Sequence, residues 1–384
     1  MILNPIPYGK QHISDEDINE VISTLRSDFL TQGPKVIEFE EAFAKYVGAK
    51  YAVAVSNGTA ALHMSVLALD LKTGDKVITS PITFVASANC VRYCGGEVLF
   101  SDIDKKSFLI DLDKIEDLLL SDSSIKGIIP VDFAGNAVDV ERLKQITDKY
   151  NCWIIEDACH APGGFFIDSK GSKQLCGNSN FSDLTIFSFH PVKHIATGEG
   201  GMITTNNKAL YDKLILLRTH GITKDSSLLN ENHGSWYYEM QELGYNHRMP
   251  DILCALGISQ LKRASASLEK RKVIAKNYDI AFANNPNVKT PKYFEGHAFH
   301  LYIIEVKNRL GLYNYLKSKN IFTQIHYIPV HTMPYYKKLG HKVGDYPVAE
   351  EYYSNCLSIP IYPTLTYEEQ MFVIEQIEQY YAKI

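Results

Sequence analysis

The chain has 384 residues, 45% of them hydrophobic and 22% charged, a balance that suits a soluble globular protein with more than one core. A formal net charge of −5 leaves no basic footprint for nucleic acid, so small anionic ligands would need local positive groups. The seven cysteines are scattered without a CxxC pair, and neither Cys90/Cys94 nor Cys152/Cys159 has zinc-site spacing, so reduced buried thiols are expected and no metal. No stretch approaches the roughly 20 apolar residues of a membrane span. Met1–Pro7 lacks the basic and apolar runs of a signal peptide, and a cytoplasmic protein is expected.

In chain order, residues 1–13 read as an extended arm, with Pro5, Pro7, Tyr8 and Gly9. Ser14 can cap a helix whose first turn carries Asp15, Glu16 and Asp17, with Ile18, Val21, Ile22 and Leu25 at helical spacing. Phe29–Pro34 breaks that pattern before a second helix over 35–46. Strand-like runs follow at 51–55, 76–80, 97–101, 127–131, 153–156, 184–189 and 201–205, with helical patterns at 59–69, 84–93, 112–120 and 138–150. Such alternation predicts an α/β fold, a mainly parallel seven-stranded sheet covered by helices on both faces. Ligands then collect at the carboxyl ends of the strands.

Asp251–Ala281 reads as one long helix, apolar first and then charged. A smaller α+β segment follows, with strands near 300–306 and 322–326 and helices near 310–319 and 367–382. Between them lies a Tyr-, His- and Pro-rich loop from Tyr327 to Tyr346. The expected division is an arm plus large domain over 1–250, and a bridging helix plus small domain over 251–384.

The chemistry-bearing residues cluster at predicted strand ends. Ser56-Asn57-Gly58-Thr59 joins a strand to a helix, a turn whose amides and Thr59 hydroxyl suit a phosphate, although alone it is only a capped turn. No GK[ST] ending and no GxGxxG appears, which argues against ATP and NAD folds. Phe84 follows the second strand and offers a flat ring to a flat cofactor. Trp153–Asp157 ends a buried strand in two acids, and period-two alternation sends Glu156 away from the side that Asp157 faces. A buried carboxylate there needs a cationic partner, which a protonated pyridine nitrogen would supply, and His160 can lie beside that ring. Lys193 sits between Ser188/His190 and the run Gly198-Glu199-Gly200-Gly201. A desolvated lysine loses its proton and becomes a nucleophile, which points to a Schiff base with pyridoxal phosphate. His190 and His194 have i, i+4 spacing, but Pro191 and the missing Glu argue against a metal.

These residues sit within longer motifs: Leu30-Thr31-Gln32-Gly33-Pro34, Ser56–Leu62, Glu156-Asp157-Ala158, Ser188–Lys193, Thr197–Gly201 and Gly244–Arg248. Together they resemble the DegT/DnrJ/EryC1/StrS family of sugar aminotransferases. The resemblance implies the pyridoxal-phosphate-dependent fold type I of aspartate aminotransferase, with a large sheet domain and a smaller C-terminal α+β domain. It implies Lys193 as the catalytic lysine, Asp157 as pyridinium partner, Phe84 stacked on the ring and His160 beside it. Gly58, Thr59 and Ser188 would hold the phosphate, joined by Asn246 from the other subunit of a homodimer. Tyr8, Phe29, Leu30, Thr31, His190, His326, Tyr327 and His331 would line the sugar-nucleotide site, with L-glutamate as amino donor.

Gly-Glu-Gly-Gly after the lysine resembles relatives that aminate C4 of a nucleotide-linked 4-keto sugar. Trp236–Asn246 and His326–His331 are similar to a subgroup of pseudaminic acid synthesis, which implies a UDP-linked 4-keto-6-deoxy-N-acetylhexosamine. His194 departs from the Pro or Asn expected after the lysine. The alternatives are another 4-keto or 3-keto UDP- or dTDP-linked sugar and, from another class, a non-catalytic cofactor-binding regulator. Retention of Lys193 and Asp157 disfavours the regulator.

Overall fold

The computed structural model describes residues 4–383. Seven strands form its main sheet: β1 (Tyr51–Val55), β2 (Lys76–Thr79), β3 (Glu97–Phe100), β4 (Ile125–Ile129), β5 (Trp153–Asp157), β6 (Leu184–Ser188) and β7 (Gly201–Thr205). Their spatial order is β1-β7-β6-β5-β4-β2-β3. All pairings are parallel except those of β7, which runs antiparallel to both β1 and β6. The fourth predicted strand runs two residues earlier than expected, and it ends before Pro130, which lacks the N–H a central strand needs.

Near-continuous apolar runs such as those of β1 and β5 require cover on both faces. Side-chain alternation sends Ala54, Ile154 and Phe187 into one core, and Val53, Ile155 and Ile186 into the other. Helix α2 (Pro34–Val47) brings Phe39 and Phe43 to the first core, where they meet Phe187 and Phe189 at ring distances of 4.9–5.5 Å. All four rings are fully buried, each worth roughly 1.5–3 kcal/mol relative to exposure. Helices α3 (Gly58–Ala68) and α4 (Ala86–Tyr93) close the second core with Leu62, Met64, Ala88 and Val91.

Helix α1 (Asp15–Leu25) is capped as expected by a Ser14/Asp17 box, and Asp17 is buried against Arg263. Of the expected N-terminal arm, residues 1–3 lie outside the described residues. Ile6–Pro7 pairs in parallel with Ile321–Phe322, tying the arm to the C-terminal part. The expected strand over 322–326 is corrected accordingly: beyond Phe322 only Gln324 pairs, through a single bridge to Ser358. The expected single helix over 251–281 is two helices, Asp251–Lys262 and Ala264–Phe282. They break at Arg263 (φ −111°, ψ 6°), whose guanidinium reaches back to Ser14 and Asp17. Propensity read locally misses that tertiary anchor.

A third core gathers Ile6, Tyr278, Phe282, Tyr302, Leu316, Leu357 and Ile377 around a three-stranded antiparallel sheet of Val288–Lys289, Tyr302–Val306 and Cys356–Ile359. The expected loop from Tyr327 to Tyr346 contains a short turn at Val330–Thr332 and a helix at Pro334–Lys337. Among the described residues no helix is long and apolar enough to cross a membrane.

Candidate active site

A cavity of about 860 Å³ opens beyond the carboxyl ends of β1, β2, β4, β5 and β6, walled on its far side by residues 324–328. It brings together Tyr8, Gly58, Thr59, Phe84, Asp157, His160, Ser188, His190, Lys193, His326 and Tyr327 from six separate stretches of chain.

One end of the cavity is the start of α3. Asn57 caps the helix, its Oδ1 accepting the Ala60 N–H at 2.8 Å. A Cβ on Gly58 would lie 3.0 Å from the Cβ of Ser188, and one on Gly201 would lie 2.6 Å from the Asn57 carbonyl. The two glycines let β6 and β7 close under the turn, so the Ser188 hydroxyl and the helix N-terminus face the same space. Such a terminus favours a phosphate.

Asp157 ends β5 only 5% exposed. Its Oδ2 accepts the Ser87 hydroxyl at 2.7 Å and its Oδ1 the Cys159 N–H at 3.2 Å, while Ser87 in turn lies 2.9 Å from Thr83 Oγ1. These donors orient the carboxylate without neutralising it. Phe84 is 58% exposed among buried neighbours, as a platform awaiting a planar partner would be. Lys193 has no ion-pair partner among the described residues. Burial lowers its pKa, and Cys159 and Asp157 oppose that shift only in part. A phosphate cradle, an aromatic platform, an oriented carboxylate and an amine pushed toward its neutral form are the donor set pyridoxal phosphate requires.

Six histidines line the cavity: His63, His160, His190, His247, His300 and His326. Burial lowers the pKa of His63, His160, His247, His300 and His326, the last to about 3, so these five rings are neutral near pH 7. Among the described residues no arginine lines the cavity.

Some expected residues lie elsewhere. Phe29 and Leu30 are exposed outside the cavity, and the Thr31 carbonyl accepts the Asp251 N–H. Asn246 is exposed and bridges Thr219 near the β1 edge. His331 is fully buried, its Nε2 2.9 Å from Glu350 Oε1, which turns the ring away from this chain's cavity. His194 points from His190 toward the Ala298 carbonyl at 2.7 Å.

Ser87, Cys159, His63, His247 and His300 also line the cavity, and sequence pattern did not single them out. Ser87 sits three residues after Phe84, a spacing that places both on one face of a turn. His300 has no local signal, because only the fold brings it 4.4 Å from His160.

The profile of the DegT/DnrJ/EryC1/StrS aminotransferase family matches residues 11–378. The chain is 39% identical to the spore coat polysaccharide biosynthesis protein SpsC of Bacillus subtilis, over 97% of this chain and 96% of that one. It is 38% identical to the UDP-4-amino-4,6-dideoxy-N-acetyl-beta-L-altrosamine transaminase of Campylobacter jejuni, over 99% and 98%. Among solved structures, Helicobacter pylori PseC, an aminotransferase of pseudaminic acid biosynthesis, superposes with a TM-score of 0.90 at 29% identity, over 99% of this chain and all of the other. The Streptococcus pneumoniae protein Spr1654 in its PLP-form gives 0.89 at 30% identity, over 99% of both chains. The mainly parallel seven-stranded sheet is that of fold type I.

Proposed function

This chain belongs to the DegT/DnrJ/EryC1/StrS aminotransferase family and takes pyridoxal phosphate as cofactor, and from that premise we propose which sugar it aminates and which residues do the work. The reaction is transamination of a nucleotide-linked keto sugar. In our reading, UDP-2-acetamido-2,6-dideoxy-β-L-arabino-hex-4-ulose becomes UDP-4-amino-4,6-dideoxy-N-acetyl-β-L-altrosamine, with L-glutamate as donor. The observation that carries the chemistry is the half-buried Lys193, without an ion-pair partner among the described residues, sharing one cavity with the oriented Asp157 carboxylate.

Gly58, Thr59 and Ser188 would hold the cofactor's phosphate, Asp157 its ring nitrogen and Phe84 its face. When bound, the protonated ring supplies an electron sink for charge developing on the substrate carbon. Lys193 would be the base that carries the proton between the amine-bearing carbon and the cofactor. A neutral amine is required for that, and burial lowers the lysine's pKa in that direction. Neutral histidines around the lysine keep competing charge away while presenting hydrogen-bonding edges to the sugar.

The choice of sugar rests on the Campylobacter relative and on the Gly198–Gly201 motif. The similar identity to a spore coat polysaccharide protein favours, as second reading, another keto sugar on the same site. As the family resemblance implies, the second copy of a homodimer would add its own Asn246 to the phosphate site. The proposed setting is the cytoplasm.

The test is to incubate the holoenzyme with L-glutamate and a panel of UDP- and dTDP-linked 3-keto and 4-keto sugars. Amination of the UDP-linked 4-keto-6-deoxy-N-acetyl sugar is expected at the highest kcat/KM. Preference for a 3-keto or dTDP-linked sugar would select the second reading.

A further inference from the structure

Arg271 is 1% exposed on the helix Ala264–Phe282, yet no acid pairs with it. Among the described residues the ion-paired arginines are Arg142, Arg218 and Arg263. Backbone takes the place of a counter-ion. The Arg271 Nη1 donates to the carbonyls of Phe299 at 3.2 Å, His300 at 3.3 Å and Ile361 at 3.0 Å. A cation buried without an opposite charge is costly, so what those three carbonyls do matters.

Two of them belong to the segment that carries His300 into the cavity. Phe299 holds a left-handed backbone (φ 49°), which a bulky side chain rarely adopts. The residues on either side are tied to the large domain: the Ala298 N–H donates to the Gly135 carbonyl at 2.7 Å, and the Leu301 N–H to the Ala134 carbonyl at 3.2 Å. Arg271 holds the two residues between those ties. His300 emerges beside His160, with ring centroids 4.4 Å apart, and both line the cavity.

The third carbonyl leads to the N-terminal arm. The Ile361 N–H donates to the Tyr8 carbonyl at 3.0 Å. Tyr278, two turns along the same helix, donates its hydroxyl to the Pro360 carbonyl at 2.9 Å. The helix thus fixes residues 360–361, and these fix Tyr8. The Tyr8 ring lines the cavity 5.1 Å from that of His326. One nitrogen, itself outside the cavity wall, ties together two stretches that each supply a cavity residue.

We propose that Arg271 is a positioning residue that sets where Tyr8 and His300 stand and thereby governs binding of the sugar nucleotide. Asp157 and Ser188, proposed to hold the cofactor, end strands of the main sheet and do not bond to residues 299, 300 or 361. The effect of losing Arg271 therefore falls on the sugar and not on the cofactor. The inference rests on the sugar-aminotransferase reading, whichever nucleotide and keto position the substrate panel selects.

Kinetics and labelling of the Arg271→Met and Arg271→Lys holoenzymes test it, with folding checked by circular dichroism. Arg271→Met should raise the KM for the keto sugar roughly tenfold, the size of one lost hydrogen bond, with kcat and the visible band little changed. Arg271→Lys keeps the charge on a shorter stem without the planar fork, and should recover part of the loss. The rise should shrink when Tyr8→Ala or His300→Ala is already present, because residues that act through one another are not additive. Acetylation of Tyr8 by N-acetylimidazole, mapped by mass spectrometry of its peptide, should be faster in Arg271→Met. An unchanged KM in a folded variant, the same KM rise in every background, or unchanged Tyr8 labelling would each overturn the proposal. Loss of the visible band together with kcat would also overturn it, marking a general support of the fold. If Arg271→Met does not fold, Arg271→Lys carries the same comparisons. Failure of the unsubstituted protein to aminate any sugar of the panel would instead sink the functional reading, and Tyr8 labelling would still decide the placement.

Discussion

Glu156 and Asp157 are neighbours in sequence and face opposite sides of one strand. Asp157 turns to the cavity, where Ser87 and the Cys159 N–H hold it. Glu156 turns to the other core, where Thr185 Oγ1 donates to its Oε2 at 2.7 Å and Gly177 N–H at 3.4 Å. The pair should separate under mutation. Asp157→Asn should fold normally yet lose activity on the order of 10²–10³-fold, because the electrostatic partner of the ring nitrogen is gone. Glu156→Gln should leave kcat within a fewfold, since it touches nothing in the cavity. Steady-state kinetics with thermal melts on both variants checks this.

Glu156 meets a second acid. Its carboxylate, that of Asp132 and the Cys176 thiol lie within 4.8 Å of one another, all buried. Asp132 Oδ1 accepts the Val138 N–H at 2.8 Å, whereas its Oδ2 has no partner of the ordinary kind. Two buried carboxyls this close hold a proton between them, and burial raises the pKa of the pair. A folded-state pKa above the unfolded value gives stability that is complete below the ordinary carboxylate range and is lost as pH rises toward the folded value. In that window the folded chain keeps a proton that the unfolded chain has released, which lowers stability by about 1.4 kcal/mol per pH unit for one proton. Asp132→Asn removes the proton and should flatten this slope. Denaturant melts from pH 4 to 8 measure it, and equal slopes in both proteins would refute the shared proton.

Strand runs and the order of site residues along them were legible because both follow from local pattern: apolar segments, capped turns, and acids or lysines beyond strand ends. What escaped depends on distant partners. The break at Arg263 arises from its reach to Ser14 and Asp17, some 250 residues earlier. The antiparallel course of β7 is set by pairing, and its composition resembles that of its parallel neighbours. Asp132 carries no local signal, and only the sheet brings Glu156 beside it. His331 shares a short motif with His326 and Tyr327, yet one turn of chain carries it to Glu350 and out of this chain's cavity.

Ser87 offers a graded test of how Asp157 is held. Ser87→Ala deletes one donor to the carboxylate and leaves the Cys159 N–H in place. The expected cost is about 1–2 kcal/mol in cofactor binding, or roughly tenfold in Kd, with little change in melting temperature. Equilibrium dialysis against pyridoxal phosphate reads it directly.

Lys193 should stand out chemically before any cofactor binds. Burial lowers its pKa, so more of it is neutral at a given pH than of a surface lysine. In cofactor-free protein at pH 7, trace labelling with an amine-reactive anhydride should modify Lys193 ahead of Lys10 or Lys45. Slower labelling than those two, once access is matched by reagent size, would contradict a neutral amine.

The most direct measurement reduces the holoenzyme with borohydride and maps the fixed cofactor by mass spectrometry of its peptides. The account predicts the added mass on the peptide carrying Lys193 and its absence in Lys193→Ala. Cofactor fixed to another lysine, or an unmodified Lys193 in protein that has lost its visible band, would contradict it.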